Sequence, residues 1–148
     1  MKVIKFGGAV LNSIDGFGEM LKIVKANSDN KCLLVISAFS KSTRNLKNAA
    51  QTAEMGDIVS AVQISNELYN EYCNFATILL SNSENLKDLI EQYDTSFENL
   101  NDLLKGISIT RELTDRTLDA IMSFGETLSL LTAFHYLNCN GIRLIELN

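Results

Sequence analysis

Three short stretches of this 148-residue chain carry side chains that could do chemistry on an anion. The first is Lys5-Phe-Gly-Gly8, which closes the apolar run Val3-Ile4 with Phe6 just beyond. Two glycines at a strand's end let the backbone turn sharply and let a ligand approach without meeting a Cβ. Lys5, two residues earlier, can bring its ammonium to the mouth of that turn. A helix N-terminus close behind would add backbone N–H groups, so the stretch can form an anion cradle. The pattern is neither a Walker A loop nor a G-x-G-x-x-G fingerprint, and an ordinary strand-ending turn is the plain alternative. The second stretch is the hydroxyl-rich Ser37-Ala-Phe-Ser-Lys-Ser-Thr43, where Ser40, Ser42 or Thr43 either lines a ligand or caps the next helix. The third is Glu126, a lone carboxylate beside Gly125 in an otherwise apolar run.

These residues need elements to hold them. Val3 to Phe6 reads as a strand. Ser13 is a candidate N-cap for a helix in which Ile14, Phe17, Leu21 and Val24 recur at helical spacing, fading in Asn27-Ser-Asp-Asn30. Cys32-Leu-Leu-Val-Ile36 is apolar at every position, as a strand covered on both faces requires. Strand, helix and strand in that order form a right-handed βαβ unit with parallel strands. In an open α/β sheet ligands collect beyond the carboxyl ends of the strands, so Gly7-Gly8 and Ser37–Thr43 can face one site.

From Asn45 to about Gly106 the pattern is helical. Ile58, Val62, Ile64, Leu68 and Tyr72 form a stripe that Phe75, Ile78 and Leu79 extend. Leu86, Leu89 and Ile90, then Phe97, Leu100, Leu103 and Leu104, read as two shorter amphipathic helices. Glu84, Asp88, Glu91, Asp94 and Glu98 read as a solvated face. Thr114 is a candidate N-cap with Asp115 in the first turn. Gly125 then interrupts a helical run at a cost of about 1 kcal/mol relative to alanine, so either something packs close there or the helix breaks. Gly141–Leu147 reads as a third strand.

Composition excludes several classes. Hydrophobic residues make up 46% and charged residues 21%, which describes a folded globular protein. A formal charge of −5 with no basic cluster excludes a nucleic-acid surface. No run approaches about 18 apolar residues and the N-terminus has no signal-peptide pattern, so no membrane partner and a cytoplasmic location are expected. Cys32, Cys73 and Cys139 are far apart and are expected as buried free thiols. With His135 the only histidine, no metal ligand set is predicted. Proline is absent, which leaves helices uninterrupted by it and rules out a Pro-rich linker.

Lys5-Phe-Gly-Gly8, Val35-Ile-Ser-Ala38 with Thr43, and Glu112-Leu-Thr114 running into Ser123-Phe-Gly-Glu126 with Leu128-Ser129 resemble aspartate kinases in order and spacing. The wider amino-acid kinase superfamily shares the fold, and the Ser-Phe-Gly-Glu block points to the aspartate branch. The resemblance implies a three-layer α/β/α fold with a mostly parallel sheet and an incomplete C-terminal half. Residues 1–148 would then be a single domain, the N-terminal portion of a catalytic domain. It implies transfer of the ATP γ-phosphoryl group, carried with Mg2+, to the β-carboxylate of L-aspartate. Lys5 would stabilise charge on the transferring group, with Gly7 and Gly8 donating backbone N–H groups and Ser37 lining the phosphate region. Thr43 and Glu126 would hold aspartate, Glu126 by facing its ammonium. A homo-oligomer is expected. Without the second half, where the family's adenine pocket lies, the chain alone is expected not to turn over; a non-catalytic relic acting as a binding module is the alternative. The chain departs from the family where Ala9-Val10 replaces the usual Thr-Ser, Lys41 a glycine, Asp115 a proline and Thr127 an arginine.

Overall fold

A computed structural model of the chain describes residues 1–28, 31–39, 41–81 and 83–145. Among them the order is β1 (Lys2–Phe6), α1 (Gly8–Leu11), α2 (Ile14–Ala26), β2 (Cys32–Ile36), α3 (Ser42–Glu54), α4 (Ile58–Leu80), α5 (Glu84–Thr110) and α6 (Asp115–Cys139). The strands pair in parallel with Lys2 opposite Cys32 and Phe6 opposite Ile36, so the expected βαβ unit is present. Ser13 caps α2 by accepting a hydrogen bond from the Gly16 amide at 3.0 Å. A Cβ on Gly16 would fall 1.7 Å from the Val10 carbonyl oxygen, so only glycine lets α1 fold back onto the first turn of α2.

The four remaining helices pack as an antiparallel bundle. Its core contains Leu46, Leu68, Tyr72, Leu89, Tyr93, Leu100, Leu104, Ile121 and Leu128. Ala49, Ala50, Ala53, Ala61 and Ala76 are fully or almost fully buried, and their small side chains let the helix axes approach closely. Asp57, Ser83 and Thr114 cap α4, α5 and α6 through their side chains, each worth about 1 kcal/mol. Tyr69 donates to Asp94 at 2.6 Å and Tyr93 pairs with Thr132 at 2.5 Å, which ties α4 to α5 and α5 to α6. A second apolar cluster, with Phe6, Leu11, Phe17, Met20, Ala133 and Leu137, joins the βαβ unit to the C-terminal half of α6. Phe39 and Tyr136 pack against both clusters.

The expected three-layer α/β/α fold is not found. Among the described residues there is one two-stranded sheet, and helices of 23, 27 and 25 residues dominate the chain. Two features account for the difference. With no proline to end it, and Gly106 inside it, α5 runs unbroken where two shorter helices were expected. The third strand also lacks a ladder. Gly141, at φ +83°, and Ile142 donate back to Asn138 and Leu137 and close α6. Ile142 and Leu144 then pack on the second cluster while Arg143 and Ile145 are exposed, which is a strand's alternation without a strand partner. Glu146, Leu147 and Asn148, the end of that expected strand, lie outside the described residues. The sheet is also not covered on both faces, since Val3 and Val35 are 59% and 40% exposed. The thiols are free, but Cys32 and Cys73 are only half-buried and Cys139 is exposed. No helix among the described residues is long and apolar enough to cross a membrane.

His135 on α6 is 5% exposed, and neither ring nitrogen has a hydrogen-bond partner. Burial pulls its pKa below the usual imidazole value, partly opposed by the Asp88 carboxylate. The unfolded chain therefore binds the extra proton first as pH falls. The neutral imidazole's stability is fully present above about pH 6.5 and is lost as pH falls from there towards the folded-state pKa. Asp57 acts at lower pH, because its hydrogen bonds to Ser60 depress its carboxyl below the usual range. Urea midpoints should thus fall between pH 7 and pH 5, and His135→Leu should flatten that slope; an unchanged slope in the variant would contradict the assignment.

Candidate functional site

Strand alternation turns Ile4 and Phe6 of β1 into the second cluster and leaves Lys5 exposed on the open face of the sheet, opposite Val35. Gly7 follows in extended conformation as the N-cap of α1, and a Cβ there would meet nothing within 4 Å. Its side of the turn is therefore open to a ligand. The helix behind it has only four residues, too few for a long helix dipole at this turn. The first N–H groups of α1, at Gly8 and Ala9, have no intrahelical acceptor. Ala9 and Val10 are exposed beside them and offer no hydroxyl.

The Ser37 amide donates to the Phe6 carbonyl at 3.1 Å, which extends the parallel ladder by one step and sets Ser37 beside Gly7. Phe39 then donates its amide to Ser129 Oγ of α6 at 3.1 Å, and Ser42 donates its amide to the Phe39 carbonyl at 3.0 Å. Neither Ser42 nor Thr43 caps α3. The N-cap position is Lys41, with no side-chain cap, and Ser42 Oγ instead pairs with Tyr72 OH at 2.8 Å. Ser40, the other capping candidate, lies outside the described residues. Thr43 is half-buried in the first turn of α3.

Gly125 decides how α6 meets this loop. The helix does not break there; Gly125 is buried because the loop packs on it. A Cβ at Gly125 would stand 3.2 Å from Ala38 Cβ and 3.3 Å from Ser42 Cβ. Glu126, next on the helix, is exposed and lines a groove of about 840 Å3 between β2 and α6, walled by Leu34, Ile36, Leu130, Phe134 and Leu144. Ser37, Thr43 and Glu126 are thus carried by segments in mutual contact, and Lys5 and Gly7 adjoin them through the Phe6–Ser37 bond. Gly8 follows as the first residue of α1.

Glu112-Leu-Thr114 is not part of this assembly. The Leu113 amide donates to Glu54 Oε1 at 3.3 Å, and the Arg111 side chain lies 3.0 Å from where a Cβ of Gly56 would be. That block closes the far end of the bundle. Phe39, Tyr72 and Ser129, which hold the loop, were not recognisable as a set. Ser129 stands in a noted motif and Tyr72 in an apolar stripe, but nothing local to either marks the contact.

No protein-family model matches the chain. Its curated relatives include aspartokinases and bifunctional aspartokinase/homoserine dehydrogenases. The chain is 32% identical over 141 residues to aspartokinase 1, chloroplastic, of Arabidopsis thaliana, covering 95% of this chain and 24% of that protein. It is 29% identical over 152 residues to the aspartokinase of Candida albicans, covering 99% of this chain and 27% of the relative. It is 28% identical over 127 residues to a bifunctional aspartokinase/homoserine dehydrogenase of Zea mays, covering 86% of this chain and 14% of the relative. The chain thus spans about a quarter or less of the length of these curated relatives.

Two glycine substitutions should have opposite signs. Gly125→Val forces β-branched bulk against Ala38 and Ser42 and should cost about 2–3 kcal/mol by urea denaturation. Gly18→Ala in α2, where a Cβ meets nothing, should stabilise by about 0.5–1 kcal/mol. A neutral Gly125→Val would contradict the close packing at that point.

Proposed function

We propose that this chain supplies the phosphate- and amino-acid-binding part of a site that phosphorylates L-aspartate, as the N-terminal portion of a kinase catalytic region. The observation that carries the reading is that the chain after β2 links two other segments beyond the carboxyl ends of two parallel strands: Ser37 bonds to Phe6 beside Gly7, and Ala38 and Ser42 pack on Gly125 next to Glu126. The aspartokinase similarity over 95% of the chain supports it.

The chemistry suits these residues. A β-carboxylate oxygen of aspartate attacks the γ-phosphorus of ATP, the bond to the β–γ bridging oxygen breaks, and ADP leaves with the electron pair. The carboxylate is already ionised at neutral pH, so no general base is required, and catalysis rests on alignment and charge. Lys5 meets charge on the phosphoryl oxygens, with the amides of Gly7 and Gly8 and the Ser37 region beside it. Glu126 faces the substrate ammonium and Thr43 supplies a hydroxyl. Magnesium would arrive on the triphosphate, which needs few protein carboxylates. The second reading, a non-catalytic binding module, is favoured by Ala9-Val10, where a phosphate would find no side-chain hydroxyl.

An NMR titration separates the two. L-Aspartate should shift the Thr43 and Glu126 amides, and Glu126→Gln should weaken that binding about tenfold, the scale of one lost charge-assisted contact. Succinate, which lacks the ammonium, should bind parent and variant alike. Mg·ATP should shift Lys5 and Gly7 in both proteins. Absence of an aspartate response in the parent would overturn the kinase reading and leave the binding-module reading.

A further inference from the structure

At the centre of the molecule a set of buried hydroxyls closes on one loop residue. Phe39 is held at three points: its amide by Ser129 Oγ at 3.1 Å, its carbonyl by the Ser42 amide at 3.0 Å, and its ring by Tyr72. The Phe39 and Tyr72 rings stack at 4.8 Å with an interplanar angle of 4°. Phe17 and Phe75 meet the Phe39 ring edge-on at 6.3 and 5.5 Å. Tyr72 OH lies 2.8 Å from Ser42 Oγ and 3.5 Å from Ser129 Oγ, and Ser129 Oγ donates to the Gly125 carbonyl at 2.9 Å.

One proton arrangement satisfies all of these groups. Ser129 has a single proton and gives it to Gly125, so it accepts from the Phe39 amide and from Tyr72. Tyr72 then accepts from Ser42. The relay runs Ser42 to Tyr72 to Ser129 to the Gly125 carbonyl, with the Phe39 amide entering at Ser129. Ser42, Tyr72 and Ser129 are at most 2% exposed, so a hydroxyl lost from this relay is not replaced by bulk water. The relay touches the loop on one side of Thr43 and the residue before Glu126 on the other.

From this geometry we propose that Tyr72 is a positioning residue for the amino-acid subsite. It reaches from α4, whose Phe75 also packs on the Phe39 ring, and fixes the spacing between Phe39 and Ser42 on one side and Gly125-Glu126 on the other. This rests on the reading that Thr43 and Glu126 hold aspartate. Tyr69 provides the control. It lies one turn earlier on α4, its hydroxyl donates to Asp94 at 2.6 Å and its ring packs on Phe97, so it ties α4 to α5.

The test uses the full chain and three variants, Tyr72→Phe, Ser129→Ala and Tyr69→Phe, with L-aspartate as the probe. Tyr72→Phe keeps the ring stack and removes only the hydroxyl. Tyr72→Phe and Ser129→Ala should each raise hydrogen exchange at the Phe39 amide about tenfold and weaken aspartate binding about three- to tenfold, the scale of one hydrogen bond. Tyr69→Phe should lower the urea midpoint while leaving both readouts unchanged. Equal aspartate affinity in parent and Tyr72→Phe would overturn the proposal and leave the kinase reading standing, as would an equal loss of affinity in Tyr69→Phe. Faster exchange at Phe39 in Tyr72→Phe, with no aspartate binding even in the parent, would overturn both, leaving Tyr72 a purely structural contact. If Ser129→Ala fails to fold, Tyr72→Phe against Tyr69→Phe still decides.

Discussion

The molecule depends on one close approach, that of the loop after β2 to the backbone of α6 at Gly125. With Ala38 Cβ only 3.2 Å from where a side chain would begin, loop and helix meet nearly backbone to backbone. From that contact follow the position of the α3 N-terminus, which carries Thr43, and the direction in which Glu126 leaves α6. The amide of Phe39 and the carbonyl of Gly125 meet at the same serine hydroxyl, so the approach also satisfies polar groups that burial would otherwise leave unpaired. A glycine that costs helix propensity in isolation is here the condition for the loop to pack on α6.

Two apolar clusters are joined through that region. The helical bundle is held by alanine-lined helix contacts and by tyrosine bonds between helices. The βαβ unit sits on the upper part of α6 through Phe6, Phe17 and Leu137. Phe39 packs against both, so the loop bridges the scaffold and the strands. The ion pairs add little to this. Among the described residues they are Lys22–Glu19, Lys87–Glu91 and Lys105–Asp102, all on exposed helix faces three or four residues apart, where each is worth a few tenths of a kcal/mol.

Local signals in the sequence were reliable where the physics is local. Ser13 and Thr114 cap the helices that their position suggested, and Cys32–Ile36 pairs in parallel with the first strand as the βαβ pattern required. The segments that carry Ser37, Thr43 and Glu126 meet where Ala38 and Ser42 pack on Gly125. What was not legible depends on tertiary contacts. Of the hydrophobic stripe read on α4, Leu68 and Tyr72 are buried, but in its first turns Ala61 and Ser65 are buried where Ile58, Val62 and Ile64 were named, because tight helix packing there takes small side chains. Gly141–Ile145 has a strand's alternation but no ladder, which periodicity alone cannot distinguish. The relay of Ser42, Tyr72 and Ser129 spans residues 30 and 57 apart, beyond the reach of any local pattern.

The docking of the loop on α6 can be observed directly. Nuclear Overhauser contacts between the Ala38 methyl group and the Gly125 α-protons report the distance on which the assembly rests. The structure predicts a strong cross-peak between them, accompanied by contacts from the Phe39 ring to the Tyr72 ring. Their absence in a folded chain would mean that the loop does not sit on α6, and that Thr43 and Glu126 do not share a site.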